Sequence, residues 1–251
     1  VAERLRVRFV KLGKVRFISH RDEARLWERA VRRSGLPVAS SHGFNPRPLL
    51  AFGLALPTGA ESLAEYLDIT LVEEVARAGL EDVQRLATSL SEGLPAGMEV
   101  VGLGWLAGDA SSLQEEVTSC SWDLEVRGVR APELMRSVEQ LLDAPSVSVR
   151  RERKGRAFDD DIRPAIRSLS VTPRPQSCSG GGSTWLQAEL ATRPRGVRPR
   201  ELAEALGAHV VLSRARRTQQ WIEDGAERRE PLAMGAGVGA AIAAHAVERV
   251  S

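Results

Sequence analysis

Residues 4–9 alternate without a break, Arg4, Arg6 and Arg8 on one side and Leu5, Val7 and Phe9 on the other. This is the two-residue period of a half-buried strand. Beyond Gly13 the alternation resumes with Val15 and Phe17 opposite Arg16, predicting a turn or bulge and a continued strand. The period then lengthens. Ala24, Trp27, Ala30 and Val31 mark the buried face of a helix that begins after Ser19, with Asp22 at its third position, and stops at Gly35 before Pro37. An apolar stretch from Leu49 to Leu56 follows, then Tyr66, Asp68 and Thr70 alternating with Leu67, Ile69 and Leu71. A helix near residues 80–94 and a strand over 97–105 complete the order strand, helix, strand, strand, helix, strand.

The second half repeats that order. Residues 122–127 predict a strand, 132–143 a helix with Pro132 in its first turn, and 146–151 a strand. Residues 184–190, 199–206 and 210–222 supply strand, helix and strand, after a Pro-, Ser- and Gly-rich loop at 173–183. The fold class expected is α+β, with two tandem ferredoxin-like (β-α-β-β-α-β) halves built on antiparallel sheets. They span 1–108 and 117–225, joined by a linker at 109–116 and followed by a Gly/Ala-rich tail at 226–251. In that tail Gly235, Gly237 and Gly239 lack the preceding strand and the Lys of a phosphate loop.

Charge changes this picture. The formal net charge is only +2, but residues 1–50 carry +8 and 151–200 carry +6, while 51–100 and 101–150 carry −7 and −4. Cations gathered in limited stretches are the electrostatic footprint of a phosphate-binding surface, so RNA is the expected partner, met through its backbone. Arg21, Arg25, Arg29 and Arg32 recur at helical spacing and form one stripe. The strand row Arg4, Arg6 and Arg8 precedes it, with Lys14 and Arg16 between, and Arg47 is held between two prolines. Arg151, Arg153, Lys154 and Arg156 form a basic hairpin tip. Arg214, Arg216, Arg217 and Thr218 form a smaller basic strand, on which Arg214 and Arg216 share one face that the simpler reading assigns to solvent. The competing expectation is that all these cations merely balance the acidic middle of the chain or face water.

Chemistry is harder to place. The Ser19-His20-Arg21-Asp22 segment opens a helix, where backbone N–H groups favour an anion. His20 and His42 are the candidates for acid and base in RNA cleavage, against the simpler reading that Ser19 and Asp22 merely cap the helix and His20 hydrogen-bonds a neighbouring strand. Asp159, Asp160 and Asp161 lack the ligand spacing of a divalent-ion loop, which leaves ion pairing of Asp161 with an Arg. Cys120 and Cys178 belong to no cluster spacing, so no cofactor or metal is expected. Phe44 and Tyr66 are the rings to consider for base stacking. No run of about 18 apolar residues occurs and the first residues are unlike a signal peptide, which predicts a cytoplasmic chain without a membrane partner.

Four segments carry a family resemblance: Ile18-Ser19-His20-x-Asp22; Arg32-Arg33-Ser34-Gly35-Leu36-Pro37; Gly43-Phe44-Asn45-Pro46-Arg47-Pro48; and Gly59-x-Glu61-Ser62-x-x-Glu65-Tyr66. They resemble the bacterial radical SAM-linked protein family, a domain of uncharacterised function found alone or fused to a cobalamin-binding-domain radical SAM protein. Arg21 departs from the apolar residue expected after the His. The resemblance implies an accessory role beside a radical SAM enzyme or, for stand-alone members, an E/G-type ribonuclease. A radical SAM cluster needs three closely spaced Cys and this chain has two, so it cannot hold that cluster alone. The leading expectation is a non-catalytic, RNA-binding module that presents RNA to such a partner. The alternatives are an RNA-acting enzyme using His20 or His42, and a protein adaptor without RNA binding.

Overall fold

The computed structural model describes residues 3–72, 83–106, 111–172 and 184–232. The elements run β1 (Arg4–Lys11), α1 (His20–Ser34), β2 (Leu50–Phe52), β3 (Glu61–Thr70), α2 (Val83–Glu92), β4 (Met98–Leu106), α3 (Leu113–Glu116), β5 (Ser119–Arg127) and α4 (Ala131–Asp143). Then come β6 (Ser148–Arg153), β7 (Arg156–Asp161), β8 (Ile166–Thr172), β9 (Thr184–Ala191), α5 (Pro199–Ala205), β10 (Val211–Asp224) and β11 (Glu227–Arg229). The chain is mixed α+β with antiparallel strand pairing, and it divides into two compact units. One comprises Val1–Val117 and Ile222–Ser251, the other Thr118–Trp221.

In the first unit the strands lie in the order β4-β1-β3-β2, each antiparallel to its neighbour. Leu5, Val7 and Phe9 of β1 face Trp27 and Val31 of α1 and Leu90 of α2 in one buried cluster, completed by Leu67, Ile69, Met98 and Val100. The Phe9 and Trp27 rings meet edge to face at 4.8 Å. Residues 13–17 form a 3-10 turn where a continued strand was expected, and Gly13 has φ +67°, which reverses the chain before Val15 can pair. The expected linker is also shorter, because Leu113–Glu116 is a helical turn capped by Ser112 and Glu115, with Leu113 buried. Residues 107–110 lie outside the described set.

In the second unit the order is β10-β5-β9-β8, again antiparallel throughout. The register aligns Leu124, Leu186 and Val171 across three strands, and Trp122, Ala188 and Leu169 beside them. The strand predicted at 146–151 is not part of that sheet. It is β6, which pairs with β7 in a separate hairpin, and the strand beside β9 is β8. The last three residues of β10 and the following β11 belong to the first unit, so residues 222–232 are neither second domain nor tail. The predicted loop at 173–183 and the glycines at 235–239 lie outside the described residues.

Candidate nucleic-acid interface

α1 is built as its sequence prescribes. Ser19 Oγ accepts from the Asp22 amide at 3.2 Å and donates to the Asp22 carboxylate at 2.7 Å, and Gly35 closes the helix in the left-handed region. Trp27, Ala30 and Val31 are buried. Glu23, rather than Ala24, is the fourth buried residue, because its carboxylate accepts from the buried Lys11 ammonium at 2.7 Å. On the opposite face Arg21, Arg25, Arg29 and Arg32 are all exposed. They span about 16 Å of helix rise. Arg25 and Arg32 approach Asp22 and Glu28 at 3.6 and 3.5 Å, exposed pairs of the kind that contribute about 0–1 kcal/mol and yield readily to another anion.

The strand row ends elsewhere. Arg6 and Arg8 are 1% and 5% exposed, which overturns the expected phosphate-binding row. Antiparallel register sets Arg6 opposite Asp68, and the guanidinium donates to both carboxylate oxygens at 2.7 and 2.9 Å. It also reaches Glu116 at 3.4 Å and the Pro231 carbonyl at 3.0 Å. Burial works against its charge, but Asp68 and Glu116 together outweigh burial and hold its pKa above the ordinary value. Arg8 donates to Glu230 at 2.7 Å and lies 5.9 Å from the centre of the Tyr66 ring. Gly104 lets Leu232 lie against β4, since a Cβ there would collide with the Leu232 side chain. Segments around α3 and β11, far apart in sequence, thus cover this sheet face. Tyr66 is 1% exposed, which removes it as a stacking platform. Glu65 is buried too, and Arg4 is half-buried.

The remaining candidates scatter. Lys14 is exposed; Arg16 pairs with Glu61 at 3.0 Å and covers the exposed Phe17 ring at 4.8 Å. His20 is exposed and meets Phe52 edge-on at 5.0 Å, while His42 belongs to the exposed loop with Phe44, Asn45, Pro46 and Arg47. No hydrogen bond or ring contact joins the two histidines among the described residues. From Arg29 through Ala60 the chain carries no Asp or Glu, a signal that block-wise charge counts conceal.

In the second unit the β6–β7 hairpin turns through Lys154 and Gly155, both at positive φ, and leaves Lys154 and Arg156 exposed. The side chain of Arg153 is outside the described residues. Arg151 is not a free cation. It donates to Glu201 at 3.0 and 2.7 Å, to Asp160 at 2.6 Å and to the Gly196 carbonyl at 2.9 Å, and Glu201 raises its pKa. Arg195 also binds Asp160, at 3.0 Å. The expected Arg partner of Asp161 is replaced by the Val147 and Arg163 amides at 2.7 and 3.0 Å, which lower that carboxyl's pKa. Arg216 is buried opposite Asp123, whose pKa burial raises against the pull of Gln187 and Arg216. Arg217 is buried over Trp122 at 5.2 Å and Arg214 approaches Glu125 at 3.7 Å, so the smaller basic strand does not line a solvent face. Among the described residues no three His, Cys, Asp or Glu side chains are grouped to hold a metal, and no helix is long and apolar enough to cross a membrane.

The model of a family described as "Uncharacterized protein conserved in bacteria" (DUF2344) matches residues 4–199. The chain belongs to that family. No curated protein matches this DUF2344 chain. Among solved structures it is similar to a chain of the "Crystal Structure of a Cbf5-Nop10-Gar1 Complex", at 11% identity and a TM-score of 0.48, covering 88% of this chain and 50% of that one. It is also similar to a chain of the "Structure of H/ACA RNP bound to a substrate RNA containing 2'-deoxyuridine", at 9% identity and 0.40, covering 85% and 47%. The chain thus spans about half the length of these solved chains.

Proposed function

We propose that this DUF2344 protein is a non-catalytic RNA-binding module, with the outer face of α1 as its phosphate-contacting surface. The observation that carries this reading is the exposed Arg21, Arg25, Arg29 and Arg32 stripe, followed by a run without acidic residues from Arg29 through Ala60. Guanidinium groups fork onto phosphate oxygens, and four of them on one helix face match a polyanion better than a single bound phosphate. Lys154 and Arg156 at the β6–β7 turn supply a second point of contact. The strand orders β4-β1-β3-β2 and β10-β5-β9-β8 support reading both units as ferredoxin-like, with the β6–β7 hairpin inserted in the second. The choice of RNA rests on the clustered cations, and that of a radical SAM or RNA-processing enzyme as the recipient on the family resemblance of the motif segments. His20 and His42, on separate segments without mutual contact, give the enzymatic alternative no support.

The test is a salt titration of the purified chain with labelled single-stranded RNA. Four phosphate contacts predict a slope of log K against log salt of roughly −3. A flat slope, or no binding at about 50 mM salt where such contacts are strong, contradicts the reading.

A further inference from the structure

The chain from Ala39 to Leu49 forms a small arm. Its base is tied to the end of β3 by Ala39 N–H donating to the Thr70 carbonyl at 2.9 Å and Thr70 N–H donating to the Leu49 carbonyl at 3.1 Å. Leu49 N–H donates to the Ala39 carbonyl at 2.8 Å, Ser40 bridges Pro48, and Ser41 N–H donates to the Arg47 carbonyl at 2.8 Å. The Arg47 amide donates back to Ser41 Oγ at 3.1 Å. This ladder closes a tip of His42, Gly43, Phe44, Asn45 and Pro46, all exposed. Gly43, at φ +136°, provides the reversal. The Phe44 ring is fully exposed, at 106%. Among the described residues nothing covers this ring, so its whole face is available to a partner.

We propose that this arm clamps one unpaired nucleotide, Phe44 stacking on the base and Arg47 meeting an adjacent phosphate. The assignment rests on the RNA-binding reading above and deepens it by naming single-stranded RNA as the class. A protein-docking anchor is normally the centre of an apolar patch. Here the tip offers a single aromatic ring among a cation, a histidine, an amide and a proline, and the nearest acidic residues in sequence are Glu28 and Glu61. A planar base presents a π-face to the ring, and its phosphate answers Arg47. In sequence the arm begins at Ala39, shortly after α1 ends at Ser34 and on the Arg32 side of the stripe.

The experiment compares a short labelled single strand of adenosines with an RNA duplex of the same length, for the full chain and for Phe44→Ala, Phe44→Trp and Arg47→Ala. Phe44→Ala should weaken single-strand binding by roughly 5- to 150-fold, the range for removing one base stack, and leave the melting temperature and duplex affinity unchanged. Phe44→Trp should retain single-strand binding. Arg47→Ala should lower the single-strand salt slope by roughly 0.7. If the unmodified chain binds RNA and Phe44→Ala weakens neither form, the clamp is wrong, the RNA reading stands, and the ring is assigned to a protein pocket. Equal losses on strand and duplex also overturn stacking. If the unmodified chain binds neither RNA, both proposals fall.

Discussion

The first unit carries two regular rows of arginine with opposite fates. On β1, Arg6 and Arg8 are buried and held by Asp68, Glu116 and Glu230; on α1, Arg21, Arg25, Arg29 and Arg32 remain in water. Both rows have ideal periodicity, and periodicity specifies which residues share a face. It does not say what covers that face. The β1 row is covered because Asp68 stands opposite Arg6 in the register and because α3 and residues 230–232 return to it from more than a hundred residues away. Among the described residues the ion-pair partners of the α1 row are Asp22 and Glu28 of the same helix, one turn distant, with both arginines exposed.

If that contrast is right, the two rows must respond differently to substitution. The largest effect belongs to Asp68→Ala, which strips the buried Arg6 of its two-pronged partner and should cost about 3–5 kcal/mol in denaturant unfolding. A loss under about 1 kcal/mol would mean that the row is effectively solvated. Glu230→Ala should cost less, about 1–3 kcal/mol, since Glu230 is partly exposed and Arg8 keeps its place over Tyr66. At the other extreme, Arg25→Glu with Arg29→Glu should change stability by no more than about 0.5 kcal/mol, and a larger loss would show the stripe to be structural.

Tyr66 sharpens the comparison without any substitution, because it is the one tyrosine in the chain and stands opposite Arg8. Burial raises its pKa above the ordinary 10.0, and the nearby Arg8 charge only partly opposes this. Tyrosinate absorbance should therefore stay low through pH 10 in the folded chain and rise near 10 in denaturant. Since the folded-state pKa is the higher one, stability holds below the unfolded value and is lost as pH climbs above it, so ionisation should accompany alkaline unfolding. A folded-state midpoint near 10 would show that the β1 face is open to water.

Local structure was the legible part. The α1 cap at Ser19, its stop at Gly35 and the extended segments β1 and β3 are dictated by neighbouring residues and are observed, although both strands are buried on both faces rather than half-buried. What required the folded chain was pairing between distant segments. The Lys11–Glu23 pair, the cover over Arg6 and the capture of Arg151 by Glu201 join residues whose local patterns are blameless as surface positions. β8 escapes the sequence pattern for a related reason. Arg167, Ser168 and Ser170 dilute its apolar alternation, whereas Val147 and Val149, just before and at the start of β6, advertise a strand that pairs in a hairpin. Phe44 was legible as a residue worth testing, but only its full exposure separates it from Tyr66.

The most direct measurement is RNA affinity against salt, from about 50 to 200 mM, for the unmodified chain and the Arg25→Glu, Arg29→Glu double variant. The account predicts that the variant binds at least about tenfold more weakly, with the slope reduced by roughly 0.7 to 0.9 for each phosphate that is no longer neutralised. An unchanged affinity and slope, in a variant that folds normally, would contradict it and leave the α1 stripe as a solvated helix face.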